Sequence, residues 1–178
     1  MTARPRVGLS RCLLGDAVRH DGTGRRNDLL LRALSGDVEW VPICPEVEVG
    51  MGTPREPIQL TVRSGSVTRA GARVGLVGVQ SGDDWTDRMH AWARARVQEL
   101  LTLGLSGYVF KARSPSCGIR DVPVFGAETG RVGQGLFAQA LVDALPDLPV
   151  ADEDELAREI GAEVFLARVR AYRRGSNS

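Results

Sequence analysis

The fold class of this 178-residue chain is clearest in residues 83–118, which read DDWTDRMHAWARARVQELLTLGLSGYVFKARSPSCG. Apolar residues in the first part recur with the 3.6-residue period of a helix, so we expect a helix over Asp83–Leu103 that ends before Gly104. The apolar run that follows predicts a strand over Gly107–Ala112, and this strand leads into a loop that contains Cys117. A helix that passes directly into a buried strand is typical of α/β folds.

The same alternation of strands and helices continues on both sides of that stretch. Before it, we expect strand Arg6–Ser10, helix Leu29–Leu34 capped by Asn27 or Asp28, and strand Val38–Ile43. After it, we expect a helix near Leu136–Leu145, strand Leu148–Ala151, and a last helix that Asp152 caps and that runs to about Arg173. The fold class that follows is α/β, with a mostly parallel, Rossmann-like sheet flanked by helices.

One segment departs from this alternation. Residues Ile58–Arg63 and Val67–Ala70 alternate in polarity around Ser64-Gly65-Ser66, which predicts a small β-hairpin inserted into the α/β domain. We expect a single domain over residues 1–173 and a disordered tail over residues 174–178.

Composition narrows the classes of function. The net charge is only +1, which argues against a stable nucleic-acid partner. There is no signal-peptide pattern and no apolar run near the roughly 18 residues of a membrane span, so we expect a cytoplasmic protein with no membrane partner. The chain has three cysteines, which is an odd number, and they are far apart in sequence. Both facts argue against a disulfide framework in a reducing compartment.

The three cysteines share a position relative to the predicted strands. Cys12, Cys44 and Cys117 each fall at or just beyond the carboxyl end of a strand. In open α/β sheets the ligand crevice lies outside these strand ends, so the three thiols can meet in one site if their strands are neighbours. Turns stiffened by Pro45 and Pro115 beside two of them also suit a bound group.

Three thiolates can hold either zinc or an iron–sulfur cluster. Structural zinc usually takes four ligands from closely spaced pairs, and this chain has no Cys-x-x-Cys pair. His20, in the same loop as Cys12, is the candidate for a fourth ligand. A 4Fe–4S cluster held by only three cysteines leaves one iron open to act as a Lewis acid.

At these motifs the sequence resembles the small bacterial family of thiouracil desulfurases. The resemblance covers about residues 7–151 and rests on six segments: Cys12–Gly15, Arg19–Gly22, Cys44–Val47, Pro54–Pro57, Phe110–Gly118 and Gly133–Phe137. Two features depart from the family pattern. His20 stands where members often carry tyrosine, and the glycines after Cys44–Val47 are slightly displaced.

The resemblance implies a 4Fe–4S cluster on Cys12, Cys44 and Cys117, with Glu46 and Ser114 as catalytic residues. Ser116 is the less favoured choice of serine. The implied reaction converts the thiocarbonyl of a thiolated pyrimidine, of the thiouracil or 4-thiouridine type, to a carbonyl and releases sulfide without net redox change. Glu46 is expected to act as general base toward the attacking water.

The expected partner is a small thiolated pyrimidine, either 2-thio or 4-thio, as a base, nucleoside or nucleotide. The candidate substrate-binding residues are Asp16, Arg19, Asp21, Gly22 and Lys111. Lys111, the only lysine, either anchors a substrate oxygen or phosphate or closes a strand end with its ammonium in water. Two alternatives of other classes are a non-catalytic iron–sulfur or zinc protein that acts as a sensor or scaffold, and a thiol-based redox enzyme with Cys12 or Cys117 as nucleophile.

Overall fold

The computed structural model describes residues 3–68, 71–126, 130–158 and 160–175. In this part of the chain the elements are, in order, β1 (Arg6–Ser10), a 3₁₀ turn (Arg11–Leu14), α1 (Asp28–Leu34), β2 (Glu39–Ile43), α2 (Pro45–Glu48), β3 (Ile58–Thr68), β4 (Gly71–Gly78), α3 (Thr86–Thr102), β5 (Leu105–Phe110), β6 (Val122–Phe125), β7 (Val132–Gly133), α4 (Leu136–Ala144), β8 (Val150–Asp152), α5 (Glu153–Leu156) and α6 (Gly161–Gly175). Within these ranges no helix is both long and apolar enough to cross a membrane.

The main sheet has four strands in the order β2-β1-β5-β8, and every neighbouring pair is parallel. This arrangement confirms the predicted α/β class with a parallel sheet flanked by helices. Because β2, β1 and β5 are direct neighbours, their carboxyl ends lie side by side. The three cysteines follow these same strands, so the topology brings their segments to one edge of the sheet.

Helices cover both faces of this sheet, as its nearly continuous apolar strands require. On one face, Tyr108 and Phe110 of β5 pack with Phe137 of α4 and with apolar residues of α3. On the other face, Val7 and Leu9 of β1 pack against α1 and α6. The two cores pack on both faces of the sheet and so fix the positions of the strand ends, where the cysteine segments begin.

The predicted β-hairpin is present as β3 and β4, but it belongs to a second, four-stranded sheet. Its strands follow the order β4-β3-β6-β7, and β3 pairs antiparallel with β4 but parallel with β6. The predicted turn at Ser64–Ser66 is wrong, because β3 continues to Thr68 with an irregular register after Val62. The last predicted hairpin residues, 69–70, lie outside the described residues.

The segment between Cys117 and α4, for which the sequence predicts no strand, contributes β6 and β7 to this second sheet. Val122 and Val124 of β6 are buried against Leu60 of β3, and Leu76 and Met89 complete this third core. Two alternating apolar residues are a weak sequence signal, and burial against a strand some sixty residues earlier provides the missing reason for the strand.

The helix boundaries agree with the predicted caps. The side chain of Asn27 accepts the amide of Leu30 at the start of α1, and that of Asp152 accepts the amide of Glu155 at the start of α5. The predicted last helix is instead divided into α5 and α6, and α6 runs on to Gly175, two residues into the predicted tail. Residues 176–178 lie outside the described residues.

Candidate metal centre and active site

A cavity of about 340 Å³ opens at the carboxyl ends of β1, β2 and β5. All three cysteines line it, together with Glu46, Ser114, Ser116, Arg55 and Lys111. Its wall also includes residues of the segment between the 3₁₀ turn and α1, namely Val18, Arg19 and His20. The topology therefore brings together the cysteines and both predicted catalytic residues.

A different local structure presents each thiol. Cys12 lies in the 3₁₀ turn that follows β1, Cys44 is the N-cap of α2, and Cys117 lies in the loop after β5. Burial raises the pKa of all three thiols, to about 11 for Cys12. Neutral thiols of this kind are poor nucleophiles, which argues against a redox enzyme that uses Cys12 or Cys117 in a protein without a bound metal.

Two glycines let the chain fold closely around Cys117. The amide of Gly118 donates to the carbonyl of Ser114 over 2.7 Å, which closes the loop. A Cβ at Gly135 would lie 2.4 Å from the carbonyl carbon of Ser116, so only glycine allows the start of α4 to approach here. The carbonyl of Ser116 accepts amides of α4 as a result, and the loop is fixed by backbone contacts on both sides.

The three thiols are not arranged for one metal ion. Among the described residues, no group of three or more His, Cys, Asp or Glu side chains is spaced to hold a single ion. Zinc–sulfur bonds of about 2.3 Å bring the thiolates of one ion close together, whereas a cluster spreads its cysteines over different irons. The described residues therefore offer no support for the mononuclear zinc alternative, including the suggestion of His20 as a fourth ligand.

Glu46 is held from both sides. The guanidinium of Arg55 donates two hydrogen bonds to Oε2, one of them from Nε over 3.0 Å, and forms an ion pair with the carboxylate. The hydroxyl of Ser116 donates to Oε1 over 2.7 Å. The side chains of Arg55 and Glu46 are only 6% and 15% exposed, so this ion pair is largely shielded from solvent.

Ser114 lies next in the same network. Its Oγ accepts the amides of Ser116 and Cys117, at 3.3 and 3.1 Å, and lies 3.2 Å from the hydroxyl of Ser116. Two backbone amides directed at one serine oxygen stabilise negative charge on it.

The predicted substrate-binding loop enters the site only in part. Arg19 lines the cavity, whereas Asp16, Asp21 and Gly22 are not among the residues of its wall, and the role of these residues in substrate binding stays a prediction. Both carboxylates have partners within the loop. Asp16 pairs with Arg11 over 2.6 Å, and Asp21 accepts hydrogen bonds from Thr23.

Lys111 lines the cavity, but its ammonium is not in open water as one of the two predictions has it. It forms an ion pair with Glu153 and donates to the carbonyl of Ala112 over 3.2 Å. Glu153 also accepts the amide of Ala112 over 2.6 Å, so the pair joins the end of β5 to the start of α5. The alternative role of Lys111 as a substrate anchor stays a prediction.

The sequence does not reveal the contacts that two residues make in this network. Arg55 falls in the segment Pro54–Pro57, where its charge among turn-forming residues is the only sign of a role. The sequence favours Ser114 over Ser116, because spacing along the chain does not reveal that the hydroxyl of Ser116 donates to Glu46.

Comparisons with known proteins identify the family of this chain. The family model described as 2-thiouracil desulfurase matches residues 7–153. A solved structure described as a 4Fe–4S-dependent thiouracil desulfidase, TudS, is similar with a TM-score of 0.66 and 28% identity, covering 92% of this chain and 99% of that one. YbbK of Bacillus subtilis (strain 168) is 29% identical over 110 residues, which are 62% of this chain and 71% of YbbK. These matches confirm the resemblance seen in the motifs, and the chain belongs to the 2-thiouracil desulfurase family.

Proposed function

We propose that this protein removes sulfur from a thiolated pyrimidine and that Cys12, Cys44 and Cys117 hold the 4Fe–4S cluster that the reaction needs. The observation that carries the proposal is that these three cysteines share one cavity with Glu46 and Ser114. Family membership and the similarity to TudS support the same function.

The residues around the cavity fit such a cluster. Three thiols that line one cavity from three different chain segments suit a group that contains several irons. The hydroxyl of Tyr108 is completely buried, and within the described part of the chain it makes no hydrogen bond of normal geometry, although the side chain of Ser10 lies close to it. Burial raises the pKa of Tyr108, and the sulfur of Cys117 adds to the rise, which shows that the phenol lies near the site. A buried donor without a hydrogen bond of normal geometry is costly, and cluster sulfurs are acceptors.

The chain's own residues supply the acid–base chemistry. Cys12, Cys44 and Cys117 would hold a 4Fe–4S cluster here, and the cluster would supply Lewis acidity toward a thiocarbonyl sulfur. Glu46 takes a proton from the water that attacks the thiocarbonyl carbon, and later returns it to the departing sulfur. Arg55 fixes the orientation of the carboxylate through two hydrogen bonds to Oε2. Ser114, which lines the cavity and has two amides on its oxygen, passes a proton between the water and this network.

The size of the cavity favours a small substrate. Its volume of about 340 Å³ is near the lower end for ligand pockets, and the cluster occupies part of it. A free thiobase therefore suits the interior best, and the ribose or phosphate of a nucleotide would extend past the rim. Arg19 and Arg113 line the cavity, but their guanidiniums already pair with Asp21 and Asp154. A phosphate would have to compete with these carboxylates.

The decisive test is an anaerobic assay with reconstituted protein. Iron and sulfide are measured first, and the loss of thiocarbonyl absorbance is then followed with 2-thiouracil, 4-thiouracil, 4-thiouridine and 4-thiouridine monophosphate. We expect about four irons per chain and turnover fastest with a free thiobase. Fastest turnover of the monophosphate would contradict the preference for a base, and turnover of none would contradict the function.

Glu46→Ala separates catalysis from cluster binding. The variant should keep its iron, because Glu46 is not one of the three proposed ligands, and should lose turnover by roughly 10²- to 10⁴-fold, the usual contribution of a general base. Asp37→Ala is a control that removes an exposed carboxylate of another ion pair. Full activity of Glu46→Ala would remove Glu46 from the mechanism, and iron binding without any turnover by the wild type would favour the sensor or scaffold alternative.

A further inference from the structure

We propose that Ser116 is a positioning residue that joins Ser114 and Glu46 into one proton-transfer chain; the inference rests on the proposed function. In this network, Ser116 lies between Ser114 and the carboxylate of Glu46. Ser116 has one hydroxyl proton, and it donates this proton to Oε1 of Glu46 over 2.7 Å. The 3.2 Å contact between the two serine oxygens must then be donated by Ser114.

The direction of these hydrogen bonds defines a path. Ser114 Oγ accepts two backbone amides and donates to Ser116 Oγ, which donates to Glu46. The attacking water takes the place of the longer amide contact on Ser114 Oγ, that of Ser116 over 3.3 Å, and gives a proton to this oxygen. The proton of Ser114 then moves to Ser116, and that of Ser116 moves to Oε1. Each hydroxyl gains one proton and loses one, and Glu46 becomes protonated. The reverse sequence returns a proton to the departing sulfur, so the chain is restored after each turnover.

Burial and anchoring make the path well defined. Ser116 is fully buried, so solvent does not compete for its hydroxyl. Its carbonyl accepts the amides of Phe137 and Ala138 at the start of α4, which fixes the backbone from which the hydroxyl projects. On the far side, Arg55 occupies the other carboxylate oxygen and donates from Nη1 to the carbonyl of Gly52 over 2.8 Å. The carboxylate therefore cannot turn away from Ser116 without breaking its ion pair.

The experiment compares Ser116→Ala, Ser114→Ala and the double variant in reconstituted protein, with rates expressed per bound cluster. We expect Ser116→Ala to lower kcat about 10²-fold and to change KM less than about threefold, and the double variant to be no slower than the slower single variant. Ser106→Ala is the matched control, because it removes another buried hydroxyl at the opposite end of β5. Its kcat should equal that of the wild type.

A proton inventory distinguishes a relay from packing. In mixtures of H₂O and D₂O, the wild type and Ser106→Ala should give a curved dependence of kcat on deuterium content, since several protons move together, and Ser116→Ala a straight one. Ser116→Thr keeps a hydroxyl and should regain at least a tenth of wild-type kcat together with the curvature.

Several results would overturn the inference. These are a Ser116→Ala rate within twofold of the wild type, losses from the two serines that multiply in the double variant, or a threonine variant as slow as the alanine variant. Each of them leaves the desulfurase function intact. A wild-type protein that carries its full iron but turns over no thiopyrimidine would instead overturn the proposed function and the relay with it.

Discussion

Arg55→Gln tests how much the protein depends on the ion pair with Glu46. The substitution leaves a carboxylate that is 15% exposed without its cation, and breaking a buried pair in this way costs about 3 to 5 kcal/mol. In the variant, Ser116 still donates to the carboxylate of Glu46, and this carboxylate has some contact with water through the cavity. We therefore expect the free energy of unfolding to fall by about 2 to 3 kcal/mol.

The assay is thermal unfolding of the reduced, cluster-free protein, which avoids irreversible loss of the cluster during the melt. For a chain of this length, about 2 to 3 kcal/mol corresponds to a Tm lower by about 4 to 12 °C. Arg26→Gln is the matched control, since it breaks an ion pair whose side chains are 59% and 60% exposed. That variant should lose less than about 1 kcal/mol.

A double variant separates the ion pair from other effects of Arg55. Arg55→Gln combined with Glu46→Gln leaves two neutral amides, so the pair no longer contains an uncompensated charge. We expect the double variant to be at least about 1 kcal/mol more stable than the sum of the two single losses. A Tm for Arg55→Gln that equals that of Arg26→Gln, or single losses that simply add, would refute the argument from charge burial.

Three further predictions concern the cysteines and the loop that holds one of them. Gly135→Ala should lower the free energy of unfolding by about 1 to 3 kcal/mol and lower the iron content, because the added Cβ would meet the backbone of Ser116 and Cys117. Gly36→Ala is the control, since there is open space around Gly36. Equal denaturation midpoints for the two variants would contradict the close approach at Gly135. Cys44→Ser should bind less iron than wild type after reconstitution, and an unchanged iron count would remove that thiol from the ligand set. In the cluster-free protein, the raised pKa of Cys12, about 11, should make alkylation by iodoacetamide slow at pH 8 and faster as the pH approaches 11. Since the unfolded thiol releases its proton near pH 9, folding stability should fall between about pH 9 and 11, and a flat profile would argue against the burial of this thiol.

Local patterns in the sequence are sufficient to predict the strands of the main sheet. The apolar runs at β1, β2 and β5 and the caps at Asn27 and Asp152 each depend on neighbours within a few residues, and the structure confirms all of them. Because the cysteines follow these strands directly, their meeting in one cavity could also be expected from the sequence and the geometry of parallel sheets.

The second sheet could not be predicted in the same way. Strand β6 is only four residues long, and it is a strand because Val124 pairs with Leu60 in a distant part of the chain. The polar residues Ser64–Ser66 carry a strong turn signal, but the pairing of β3 with β4 extends the strand past them. Tertiary contacts outweigh local propensity in both cases.

Side-chain pairing within the site was also hidden from the sequence. Glu46 and Arg55 are nine residues apart across a loop, and neither helical nor strand periodicity relates them. The two serines of Ser114–Ser116 are chemically alike, and only the direction of each hydroxyl separates their roles. Such directions depend on χ1 rotation, which a one-dimensional pattern does not encode.

The strand order β2-β1-β5 has a consequence for how the protein is made. The first thiol is synthesised early, but the third follows β5 and is added only when residue 117 has been translated. Parallel strands pair only after long connections have closed, so the three thiols stay apart until the nascent chain has collapsed into its sheet. A growing polypeptide shorter than 117 residues lacks one of the three proposed ligands, so a cluster held by all three can be completed only after residue 117 has been translated.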